Sequence, residues 1–243
     1  MLDVHVPRKT EHTWTDFFIH ISTIVLGLFI AVCLEQTVVY FDHNHQRREL
    51  IENVQAEARH NIPILQADIN SGLIVERWDR AVLDALRKAK IEGGTLTVTV
   101  PPRPDYSVRR SESRAAWTVA HTNGQAALIA QDIAEVFDRS DFAAGNTYRT
   151  LDDIYSADSE LMATEARIGS KLEPGATLRL SVAGRDDLAK SVAHSMAANA
   201  DFLYSAVSSV GTADAIANRV QTREAMNVYI SQHREALAKA RLE

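Results

Sequence analysis

Residues 17–34, FFIHISTIVLGLFIAVCL, run for eighteen positions with no formal charge other than that of His20 when protonated. A helix of that length rises roughly 27 Å, and residues 35–41 add further turns, which matches a hydrocarbon thickness of about 30 Å. The run therefore predicts a membrane span, and no other stretch of the chain is comparably apolar. The competing assignment is a cleavable signal peptide, since Arg8 and Lys9 precede the run and small residues such as Ala31 lie near its end. The run exceeds the usual apolar core of such peptides, roughly 7 to 15 residues, and retention is expected. Val32 before Cys33 also argues against lipoprotein processing, which wants a small residue there.

The chain has 243 residues, and about two hundred remain once the span is removed, enough for one packed domain. A net charge of −6 offers no basic footprint for neutralising phosphates, so nucleic acid is not an expected partner. Cys33 is the only cysteine, which excludes an intrachain disulfide framework and a thiolate metal cluster. Arg8 and Lys9 before the span balance Arg47 and Arg48 after it. The short basic tail favours a cytoplasmic N-terminus, because a large C-terminal part can be translocated largely regardless of its charge.

Past the span, Ile51, Val54, Ala58, Ile62, Leu65, Ile69 and Leu73 recur at spacings of three and four, which predicts a long helix over residues 45–90. Pro63 should kink it and Gly93-Gly94 should end it. Residues 95–100, TLTVTV, alternate β-branched positions, but prolines follow at 101, 102 and 104, so at best a short edge strand is expected. Ser111 to Ser113 mark a helix start before Trp117, and Asn123-Gly124 stops that helix. Further helices are read over residues 125–139, 141–171, 185–209 and 212–241, with Glu173-Pro174-Gly175 and Gly211 as breaks. The fold class is all-α: a tail (1–16), a transmembrane helix (17–41), a stalk helix (42–92), a Pro-rich loop with a short strand (93–110), then an antiparallel helical bundle (111–243).

On a helical wheel, Asp16, His20, Thr23, Gly27 and Ala31 share one face of the span, flanked by Glu35. Lipid gives polar groups no partners and small residues admit a neighbouring helix, so this face is expected to pack against protein. The bland alternative places Asp16 and Glu35 in the two headgroup regions and makes Gly27 and Ala31 incidental. His20 and Glu35 lie roughly 22 Å apart along the axis, too far for proton exchange within one helix. His43 and His45 with Asp42 point to different sides of a helix, and with His60 they read as solvated histidines rather than metal ligands. No Gly-X-Ser-X-Gly elbow, His-Glu-X-X-His helix or phosphate loop occurs. The chain is therefore expected to be non-enzymatic, with no catalytic residues, cofactor or metal. Trp117 and Tyr155 read as core aromatics.

The motif from His12 to His20, HTWTDFFIH, followed by Gly27-Leu28, by Leu34-Glu35-Gln36 and by the His43/His45 pair, resembles an uncharacterised family of bacterial single-span membrane proteins. Residues 116–124, AWTVAHTNG, are similar to that family's second signature. The resemblance implies a location and an architecture, and no mechanism: a bacterial inner-membrane protein with its C-terminal domain in the periplasm. The leading functional expectation is an accessory or assembly subunit of a membrane complex, with the bilayer and a protein partner or second copy as its contacts. The alternative is a membrane-anchored sensor or ligand-binding domain, which requires a concave pocket among the last four helices.

Overall fold

The computed structural model describes residues 14–103 and 112–242. The basic pair Arg8 and Lys9, His12, Pro104 and Ser111 lie outside the described residues. Helix α1 runs Trp14–Lys88 and passes Pro63 without interruption. The chain divides into two compact units, Met1–Arg48 and Glu49–Glu243.

In the first unit α1 includes a stretch long and apolar enough to cross a membrane, none of it buried. Thr23 and Thr37 return their hydroxyls to the carbonyls of Ile19 and Cys33, at 2.8 and 2.7 Å. This satisfies both donors within the helix, as a lipid environment requires.

The second unit is a mostly helical bundle with a small sheet. After α1 come β1 (Ile91–Glu92), β2 (Thr95–Thr99), α2 (Ala115–Thr122), a 3-10 turn (Gln125–Leu128), α3 (Gln131–Ile168), β3 (Thr177–Ser181), α4 (Val182–Ala217) and α5 (Arg223–Ala240). The segment expected to be a stalk is itself a bundle helix, because from Leu50 onward α1 buries Val54, Ala58, Leu65, Leu73, Trp78, Val82 and Leu86. The three-and-four periodicity was real, and the surface that covers it is the remainder of the same unit. One core joins Leu50, Val54 and Ala58 to Trp117, Val136, Phe137, Ile216, Met226 and Ile230.

A second core forms where α1 and α4 meet the sheet, with Trp78, Val82 and Leu86 against Leu96, Val98, Leu178, Leu180, Leu188 and Val192. The antiparallel register pairs Leu96 with Leu180 and Val98 with Leu178, placing all four inward-facing side chains in that core. The strand order β1-β2-β3 makes β2 central, which corrects the expectation of an edge strand. Pro101 is no obstacle, since the last paired donor is Val100 N–H, which reaches the Ala176 carbonyl at 2.8 Å.

Three helix boundaries also differ from the sequence reading. Residues 131–168 form one helix rather than two, because Asp141 does not cap a new helix but receives a bidentate pair from Arg114 at 2.9 and 2.7 Å. That helix ends at Gly169, φ 68°, ahead of the expected break at Pro174. Helix α4 continues through Gly211 and stops at Ala217, and α5 begins after Thr222, whose hydroxyl accepts from Ala225 N–H at 3.3 Å.

Candidate functional site

The residues singled out in the span, Asp16, His20, Thr23, Gly27, Ala31 and Glu35, are all exposed on α1, and a Cβ built on Gly27 meets nothing within 4 Å. They form a continuous open face in the first unit. His43, His45 and His60 are exposed as well. Among the described residues no group of three or more His, Cys, Asp or Glu is arranged to hold a metal ion. Trp117 is buried, as its sequence setting predicted, whereas Tyr155 is 58% exposed and is not a core residue.

In the second unit, three helices build a cleft of about 860 Å³. Helices α3 and α5 both pack against α4, whose small polar residues allow close approach: Thr147 and Ser209 hydroxyls meet at 2.9 Å, and Ser140 donates to Thr212 at 3.2 Å. Between α3 and α5 the floor is α4, presenting Tyr204, Ser205, Ser208 and Thr212 at helical spacing. One wall is the α3 face with Arg139, Phe142, Asn146 and Arg149, and the other is α5 with Arg223, Ile230 and Arg234. Cleft volumes of about 300–1,000 Å³ are those that accept small molecules.

The charges of this cleft are divided unevenly. Asp138 accepts from Trp117 Nε1 at 2.9 Å and lies 3.1 Å from His121 Nε2. Glu135 accepts from Gln131 at 3.2 Å. Arg234 lies over the Tyr204 ring at 4.5 Å and donates to Ser208 Oγ at 3.1 Å. Arg139, Arg149 and Arg223 make no ion pair with any described residue. Partial burial, then the like charges of Arg223 and Arg234, hold the Arg139 guanidinium below its ordinary pKa.

A separate polar cluster fastens the chain ahead of α2. Asn61 on α1 grips Ser113 twice, Nδ2 donating to its carbonyl at 2.8 Å and Oδ1 accepting from its N–H at 2.9 Å. Glu57 Oε2 accepts from Ser113 Oγ and from Ala116 N–H, both at 2.9 Å, so the carboxylate that caps α2 comes from 59 residues upstream. The Tyr148 hydroxyl donates to the Glu112 carbonyl. The Glu112 side chain is buried beside Ser209, Arg114, Asp68 and Glu57, and desolvation raises its pKa to about 7.

Sequence reasoning did not find the arginine cleft or Glu112. Arg139, Arg223 and Arg234 lie on two helices, the first two 84 positions apart, and each alone reads as a solvated surface charge. The signal available in the sequence is the helical spacing that puts Arg139, Phe142, Asn146 and Arg149 on one face. No protein-family model, curated protein or solved structure matches the chain.

Proposed function

We propose that this chain is a non-enzymatic, single-pass membrane protein whose helical domain binds a small ligand in the cleft between α3, α4 and α5. The observation that carries this reading is the cleft itself, about 860 Å³, floored by α4 and lined by convergent polar groups with the exposed rings of Phe142 and Tyr204. The apolar run in α1 supplies the anchor. The test is a small-molecule screen by thermal shift on the full chain in detergent, run in parallel on Asn146→Trp. Asn146 makes no side-chain hydrogen bond to a described residue, so the substitution fills the cleft without removing one. Compounds that raise Tm of the parent and not of the variant are expected, and equal shifts in both would defeat the reading.

The second reading is an accessory or assembly subunit of a membrane complex that docks through the span. It draws on the open face of Asp16, His20, Thr23, Gly27 and Ala31, where Gly27 leaves room for a second helix to approach the backbone. Gly27→Leu should disrupt such an assembly and Leu26→Ala, on another side, should not. Unchanged oligomeric state and co-purification in both variants would leave the span as an anchor alone.

A further inference from the structure

One end of the cleft brings together three arginines, none of which forms an ion pair with a described residue. Arg139 is half-buried on α3 and within electrostatic reach of Arg223 and Arg234 on α5. The carboxylates nearest to it in sequence have partners of their own: Asp138 accepts from Trp117 and lies beside His121, Asp141 is paired with Arg114, and Glu135 accepts from Gln131. Of the remaining acids of the lining, Asp153 is fourteen residues along α3, roughly 21 Å from Arg139 at 1.5 Å per residue, and Asp201 stands three residues before Tyr204 on α4. Three guanidinium groups gathered on a protein of net charge −6 repel one another, an arrangement that folding alone does not favour.

The same end is prepared for an anion. Arg234 is oriented by the Tyr204 ring and by Ser208 Oγ, and the unused N–H donors of Arg139 and Arg223 have the fork geometry that matches carboxylate and phosphoryl oxygens. Phe142, 70% exposed and three residues from Arg139, and Tyr204, 55% exposed, offer aromatic surface beside those donors. An exposed phenyl ring inside a polar cleft is costly in water and is covered when a ligand lies on it.

We infer that the cleft takes a small organic oxyanion, a phosphate ester or a carboxylate, whose charged group lies among Arg139, Arg223 and Arg234 and whose apolar part lies on Phe142 and Tyr204. This rests on the reading of the cleft as a ligand site and names the chemical class of that ligand.

The experiment is titration of the full chain in a neutral detergent with phenyl phosphate, benzoate and phenol, followed by calorimetry and thermal shift. Phenyl phosphate or benzoate should bind more tightly than phenol, with affinity falling as salt rises. Arg139→Gln and the exposed Arg223→Gln should each weaken anion binding at least tenfold, whereas Arg179→Gln on β3, outside the cleft, should leave it unchanged. Without ligand, the Tm of Arg139→Gln should equal or exceed that of the parent, since a repulsive charge has been removed. A lowered Tm would make Arg139 a structural residue and overturn the inference. So would anions that bind no better than phenol, or anion binding indifferent to both arginine substitutions. If phenol binding is then lost in Asn146→Trp, the ligand-site reading survives without its anionic specificity; if Asn146→Trp alters no binding at all, both fall.

Discussion

Gly211 on α4 lies against the backbone of Ile230 on α5, so close that a Cβ at position 211 would sit 2.7 Å from the Ile230 Cα and 3.1 Å from its nitrogen. The glycine read from sequence as a helix break is therefore a contact point between two helices. Its role is steric, and neighbouring Thr212 and Ala213 continue the helix on the buried side.

Gly211→Ala should consequently destabilise the domain. The usual gain of about 1 kcal/mol for replacing a helical glycine is opposed by overpacking of about 1–3 kcal/mol, and here the obstructing atoms are backbone that cannot rotate away. A lower Tm of the full chain in detergent is expected, with Gly27→Ala as the internal comparison. Nothing lies within 4 Å of a Cβ at Gly27, so that variant should leave the bundle's melting unchanged.

Trp117 is 4% exposed, edge-on to Phe137 at a centroid distance of 5.1 Å, with its indole N–H on Asp138. Trp117→Ala should cost about 3–5 kcal/mol, a large share of a margin of roughly 5–15 kcal/mol. Trp117→Phe keeps much of the apolar contact and should cost markedly less, because the Asp138 carboxylate that loses the indole N–H is largely exposed to water and still lies beside His121. Urea unfolding of the three proteins would measure the order, and equal stabilities would remove Trp117 from the core.

Glu112 makes stability depend on pH. Its folded pKa of about 7 stands above the ordinary value of 4.5, so between those limits the folded state holds a proton that the unfolded state releases. The sign follows: the favourable contribution is complete below about pH 4.5 and is lost as pH rises through about 7, in total about 3 kcal/mol. Glu112→Gln keeps a neutral group in place and should be more stable than the parent at pH 8, with the difference shrinking towards pH 4.5. Thermal melts across that range check it; a difference that is flat with pH would contradict the assignment.

The apolar run of α1 should keep the full chain in the membrane fraction through alkaline extraction, with an intact mass that includes residues 17–34. A fragment beginning at Glu49, where the second compact unit starts, should fold as a mostly helical domain and melt cooperatively. Soluble protein lacking the run would show it to be a cleaved signal, and an unfolded fragment would show that the first unit is needed for folding.

The sequence by itself determined the features that depend on local pattern. Eighteen uncharged residues identify the apolar run, the spacing of Val54, Ala58, Leu65 and Leu73 identifies the buried stripe of α1, and Asn123-Gly124 ends α2 where Gly124 takes φ 82°. What covers that stripe was not local information. An amphipathic helix looks the same whether a stalk partner or its own domain covers it, so only the tertiary structure made residues 50–86 part of the bundle. The sheet followed the same rule: β3, five residues with two inward leucines, acquires its identity from pairing with β2 some eighty positions earlier. Asp141 and Gly211, both plausible helix boundaries by residue type, are interior because Arg114 uses the one and Ile230 needs the space of the other. The arginine cleft belongs wholly to tertiary structure, since electrostatic repulsion between Arg139, Arg223 and Arg234 depends on their separation in space, and sequence distance carries no measure of it.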